Sequence, residues 1–250
     1  MRTAVVIFLF CATTFANALR FDNNVADFVQ VQPIGSMIAG SNLTITAFLK
    51  TTDTVGEVVC DFENNSSFVG FSLALGVGGA TPGALAFYSN FSGGAGGFTA
   101  TTNTINDGTT RFVAVTYDAT AAQLKVYLDG QLVGTYSRAV AIGASTNNVS
   151  IGKDNNATPS RPFDGDISSL RIYARTLSQD DISEIYFLNG RDIPSLDQLA
   201  FYFAGDFAFE GSIPVASRLG DLSANSLTLT TSGTVRSVES FLSPPVYGGW

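Results

Sequence analysis

The runs on either side of one Asp-Gly dipeptide constrain this chain more than any other feature. Arg111-Phe-Val-Ala-Val-Thr-Tyr117 places Val113, Val115 and Tyr117 on one side of an extended backbone. Leu124-Lys-Val-Tyr-Leu128 does the same with Leu124, Val126 and Leu128. A period of two marks a half-buried strand and conflicts with a 3.6-residue helical repeat. Asp129-Gly130 follows directly, then Gln131-Leu-Val-Gly-Thr-Tyr136. Asp-Gly suits a tight primed turn, which needs positive φ at both central residues, so a hairpin is expected here. Leu43-Thr-Ile-Thr-Ala-Phe48 and Leu170-Arg-Ile-Tyr173 read as further strands, and Gly and Asn clusters at 76–79, 93–97 and 154–156 punctuate the chain. One helix stands out. Ser178-Gln-Asp-Asp181 matches a capping box, Ile182, Ile185 and Tyr186 have helical spacing, and Asn189-Gly190 closes it. One short helix near 178–189 among about a dozen strands indicates an all-β sandwich or jelly roll.

Composition excludes several functions. With 45% hydrophobic residues in 250, there is ample material for a core. Net charge is −8, with only 13 Lys and Arg. Such a chain is expected to bind no nucleic acid, whose phosphates demand cations, and carries no polybasic membrane patch. It has no His, which removes His-activated nucleophiles, His-ligated zinc and His pH switches.

The amino terminus reads as a secretory signal peptide, residues 1–18. Arg2 is followed by an apolar run from Ala4 to Phe15, and Ala16-Asn17-Ala18 has the small-x-small form of a cleavage site. The run is too short to span a bilayer. Secretion would leave Cys60 alone, either as a buried thiol beside Val58 and Val59 or as an intermolecular bridge, with the apolar setting favouring the first. Sequons at Asn42, Asn64, Asn65, Asn90, Asn148 and Asn156 would be glycosylation sites in a eukaryotic secretory pathway.

Several blocks together resemble a known family. Phe112-Val-Ala-Val-Thr-Tyr-Asp118, Leu124-Lys-Val-Tyr-Leu-Asp-Gly130, Ile151-Gly152 and Phe163-Asp-Gly-Asp-Ile-Ser-Ser-Leu-Arg-Ile-Tyr173 resemble laminin G-like, concanavalin A-like domains. Leu19–Val31 and Leu43–Phe48 look like that family's earlier blocks. The resemblance spans about residues 19–190 and implies a concanavalin A-like jelly-roll β-sandwich. It lacks the family's usual opening strand and Asp-x-Ser-x-Asn block. Yet Leu199-Ala-Phe-Tyr-Phe203, Asp221-Leu-Ser-Ala-Asn225 and Leu227–Thr230 look like that opening, moved after a linker at 191–198. Residues 199–236 would then complete their own sandwich, complete a neighbouring subunit by strand donation, or begin a second repeat; 237–250 form an apolar tail ending in the only Trp, Trp250.

The resemblance implies a secreted, non-catalytic, lectin-like module whose partner is a glycan or an extracellular protein. The alternative is a structural subunit of an extracellular fibre or coat, self-assembled through the carboxy-terminal segment. A glycoside hydrolase is disfavoured. Enzymes of this fold resemble one another in a Glu-x-Asp-x-Glu strand motif that sets two carboxylates about 5–5.5 Å apart. The nearest approach here is Glu57, Asp61 and Glu63, which read as a solvated strand face. Related domains carry a structural calcium, for which Asp22, Asp164, Asp166 and Asp221 are candidate ligands, although Asp also forms turns. The aromatics Phe87, Tyr88, Phe91 and Phe98, set among glycines, are either exposed stacking contacts or core, and core is the better reading.

Overall fold

The computed structural model describes residues 17–40, 42–62, 69–90, 97–138, 141–155, 161–190, 197–203, 223, 225, 227–233 and 235–239. These form two antiparallel sheets. In chain order the elements are β1 (Asn17–Asp22), β2 (Phe28–Val31), α1 (Gly35–Ile38), β3 (Leu43–Thr51), β4 (Gly56–Cys60), β5 (Gly70–Leu75), β6 (Ala84–Asn90), β7 (Gly97–Thr104) and β8 (Thr110–Asp118). Then come β9 (Gln123–Leu128), β10 (Gln131–Ser137), β11 (Val149–Ile151), β12 (Asp164–Tyr173), α2 (Gln179–Phe187), β13 (Leu199–Phe203), β14 (Leu229–Ser232) and β15 (Arg236–Glu239).

One sheet has eight strands in the order β10-β9-β8-β3-β12-β1-β15, with β13 also on β12; the other has seven, in the order β14-β2-β11-β4-β5-β6-β7. The hairpin β9–β10 turns at Asp129 and Gly130, both at positive φ (49° and 77°), as the dipeptide requires. Inward residues of both sheets, including Phe21, Ile45, Leu73, Phe87, Val115, Ile172 and Phe201, form the principal core. A second cluster lies outside the eight-stranded sheet, where Ile182 and Ile185 of α2 cover Phe48, Phe112 and Tyr127. Ser178 caps α2 through a reciprocal pair with Asp181. Beside this expected helix stands α1, a single turn whose Ile34 and Ile38 plug the core. It is too short to leave a periodic signal.

The carboxy-terminal strands pair within their own chain. β12 is long enough to take two partners along one edge. Its first half pairs with β1 (Leu19 opposite Ile167) and its second half with β13 (Phe203 opposite Leu170). A bulge near Ser169, at positive φ, separates the halves. β14 extends the other sheet beside β2, and β15 extends the first beside β1. Among the described residues, the carboxy-terminal strands therefore fill places in the sheets of their own chain. Ala18 lies within β1, buried and opposite Val238, so cleavage after it would leave Leu19–Asp22 of that strand.

Candidate functional site

Asp22, Asp164 and Asp166 do converge, but upon a cation of the chain itself. Residues at alternate positions of antiparallel strands share a face, and Arg20 lies directly opposite Asp166. Its guanidinium reaches Asp22 Oδ1 at 3.1 Å, Asp164 Oδ1 at 2.8 Å and Asp166 Oδ1 at 3.4 Å. Calcium needs several oxygens aimed at one point. Here the three carboxylates are aimed at Arg20, and no group of three or more metal-ligating side chains occurs among the described residues. These residues do not fit a calcium site; Asp221 lies outside the described residues. The alternation Arg20-x-Asp22 could have signalled the pairing. Calcium added to the metal-free chain is accordingly expected to raise the melting temperature no more in the unmodified protein than in Asp164→Asn. A rise confined to the unmodified chain would restore these acids as ligands.

A different constellation lies on the outer face of the seven-stranded sheet. β4 carries a bulge between Glu57 and Val59, so Glu57 stands opposite Ala74 and Cys60 opposite Ser72. The bulge breaks the alternation that would have put Glu57 and Asp61 on one solvated face. Both are instead fully buried, and Glu63 lies outside the described residues. Glu57 Oε1 accepts from the Ser72 hydroxyl, and Glu57 Oε2 lies 3.3 Å from Arg161 Nε. The same Nε lies 3.2 Å from Asp154 Oδ2, so two buried carboxylates clamp one guanidinium. Burial pushes the Glu57 carboxyl up to about 7, against the pull of Arg161 and Ser72. Asp61 Oδ1 accepts from the Phe71 amide at 2.6 Å while its Oδ2 has no hydrogen-bond partner among the described residues, and burial pushes this carboxyl up to about 8.

Beside this clamp runs an aromatic ladder. Phe62 and Tyr88 lie 4.8 Å apart by ring centroid, Tyr88 and Phe98 5.1 Å. Only Phe98 is half-buried, and the Arg161 guanidinium sits 5.8 Å from its ring. Gly78, at φ +61°, lets its loop lie against Phe98, since a Cβ there would fall 2.1 Å from the Phe98 Cβ. Tyr88 and Phe98 thus belong to strands β6 and β7, Phe87 on β6 points into the core, and Phe91 lies outside the described residues. Arg161, half-buried at 17% exposure, keeps its Nη groups free of hydrogen-bond partners among the described residues. Arg161 and Asp154 escaped the sequence reading because nothing local marks them as partners of Glu57.

Cys60 is free and buried on the same face, with its thiol pushed up by burial. Of the sequons, Asn148 is exposed, Asn42 is half-buried and accepts from the Ala119 amide at 2.9 Å, and Asn90 is buried at 2% exposure. Asn90 is therefore inaccessible to a glycan in the folded chain. Asn64, Asn65 and Asn156 lie outside the described residues.

Two stacked antiparallel sheets with this strand order define a jelly-roll β-sandwich. The family model described as the concanavalin A-like lectin/glucanases superfamily matches residues 22–183, and the chain belongs to that superfamily. No curated protein sequence matches it. Among solved structures it is similar to a candidate carbohydrate-binding protein of Bacteroides ovatus (TM-score 0.62, 19% identity), covering 88% of this chain but only 61% of that one. It is also similar to a heptameric SAP-like pentraxin of Limulus polyphemus (TM-score 0.57, 14% identity, 89% of this chain and 98% of that). A third likeness is to domain 4 of an extracellular arabinanase of Geobacillus stearothermophilus, solved with arabinotriose (TM-score 0.51, 16% identity, 68% of this chain and 76% of that). At these identities the likeness establishes the fold.

Proposed function

We propose that this chain is a secreted, non-catalytic carbohydrate-binding module that takes its glycan at Phe98 and Arg161 on the outer face of the seven-stranded sheet. One observation carries the reading. A half-buried aromatic ring stands beside a guanidinium whose Nη donors meet no hydrogen-bond acceptor among the described residues, and that guanidinium is fixed from below by Glu57 and Asp154. Sugars present apolar C–H faces that stack on rings and hydroxyls that accept from fixed donors. The similar structures from Bacteroides and Geobacillus support this, one by its description and the other by its bound arabinotriose. The two carboxylates are fully buried beneath Arg161, so they cannot meet a glycosidic bond, which favours binding over hydrolysis.

The test is a glycan array followed by titration of the best binder. Phe98→Ala is expected to weaken binding about tenfold, the value of one good ring contact, with the fold retained. A chain that binds no glycan on the array, or a Phe98→Ala variant that binds as well as the unmodified chain, would remove this reading. Glycan hydrolysis by the purified chain would remove the non-catalytic part alone.

A further inference from the structure

Resting on the reading of the Phe98–Arg161 face as the glycan site, we propose that this face takes uncharged glycans and excludes anionic ones, and that Glu57 and Asp154 are the positioning residues that set this choice. A guanidinium on a binding surface is ordinarily an anion receptor, because its fork matches a carboxylate or phosphate in shape and charge. Arg161 is not available in that sense. Its Nε lies 3.3 Å from Glu57 Oε2 and 3.2 Å from Asp154 Oδ2, and both carboxyl groups are fully buried. One cation thus faces two acids. With Glu57 protonated the charges of the three groups cancel, and with Glu57 ionised a negative charge is left over. Neither state of Glu57 leaves positive charge for a ligand.

What remains on Arg161 is hydrogen-bonding capacity. Its Nη groups meet no acceptor among the described residues, and a guanidinium carries its N–H donors in a rigid fork. Held through Nε, that fork presents donors of fixed direction, which suit the hydroxyl and ring oxygens of a sugar. The Phe98 ring, 5.8 Å from the guanidinium carbon, supplies the apolar half of the contact. A carboxylate or sulfate brought to the same Nη groups would stand just across one guanidinium from two buried acids, where like-charge repulsion is poorly screened.

The rest of the chain gives an anion no help. Net charge is −8, so the long-range field repels a polyanionic glycan. Arg138 donates to Ser89 Oγ and to the Ser89 and Gly97 carbonyls, and Lys153 stands 3.7 Å over the Phe28 ring of β2. Arg20 and Arg111 are each bound by more than one carboxylate, as Arg161 is. Of these three overmatched arginines, Arg161 is the one beside an aromatic ring among the described residues.

The test is an array printed with matched pairs, in which each neutral oligosaccharide stands beside a counterpart whose primary hydroxyls are oxidised to carboxylates, or which carries sulfate or sialate. The neutral members are expected to bind, each at least about tenfold tighter than its anionic counterpart, since like charge across a contact costs affinity. Their affinity should stay level between about 0.05 and 0.5 M salt, a range in which a contact between guanidinium and carboxylate would weaken. Glu57→Gln combined with Asp154→Asn leaves Arg161 its charge and should tighten the anionic members at least about tenfold. Binders led by anionic glycans, or binding that falls as salt rises, would overturn the inference while keeping Phe98 and Arg161 as the glycan site. So would a folded double variant that still excludes anionic glycans. If the double variant does not fold, the matched pairs and the salt series decide. An array without binders, or binders indifferent to Phe98→Ala, would remove the site itself and this inference with it.

Discussion

The melting temperature of this protein is expected to fall by about 10 °C as pH rises from 5 to 9, because buried carboxyls hold their protons in the native state. Glu57 is raised from 4.5 to about 7 and Asp61 from 3.8 to about 8, both chiefly by burial. Between pH 4 and pH 7–8 the native chain thus keeps protons that the unfolded chain has already released. Their stabilising contribution is fully present below the unfolded values. It is lost as pH rises through the folded ones, at a cost on the order of several kcal/mol. Asp107 shifts the opposite way, to about 2 through Thr109 and Arg111, but it is exposed and its titration lies below this window. Asp61→Asn and Glu57→Gln preserve shape, so each should flatten the profile and raise the melting temperature at pH 8.5 relative to the unmodified chain. A melting temperature that is level or rising between pH 5 and 9 would show that the two carboxyls ionise freely in the folded chain.

Removing residues 191–250 is expected to leave a chain that unfolds or aggregates. The cut takes β13 from β12 and exposes the edge of Leu170–Tyr173. It also takes Phe201 and Ala200 from the core between the sheets, and Leu199 and Tyr202 from the cluster under α2. β14 and β15 are lost from the two other edges. Arg171, fully buried, loses the Tyr202 hydroxyl 3.1 Å from its Nη2 and the ring 4.3 Å from its guanidinium carbon. A milder form is Phe201→Ala, which should cost about 3–5 kcal/mol because the side chain is completely enclosed. Denaturant unfolding measures that cost. A truncated chain that stays monomeric with its melting temperature unchanged would show that the carboxy-terminal strands contribute nothing to the sandwich.

The sequence by itself determined whatever depends on neighbours a few residues apart. The alternation in 111–117 and 124–128, the Asp129-Gly130 turn and the Ser178 cap each act through one strand, one turn or one helical end. Their order, with the later blocks around Phe163–Tyr173, was enough to indicate the sandwich. The tertiary structure alone decided the partners of charged groups. Asp164 and Asp166 lie more than a hundred residues from Arg20 and meet it only because β1 and β12 pair antiparallel. Their acidic pattern fits a metal ion or a guanidinium equally well, and sequence spacing does not distinguish the two. Glu57 reads as solvated because acidic residues on strands usually are. A single bulge in β4 and the arrival of Arg161 and Asp154 from a distant loop bury it instead. Register and long-range ion pairing are properties of the assembled sheets, set by the whole set of contacts rather than by any one segment.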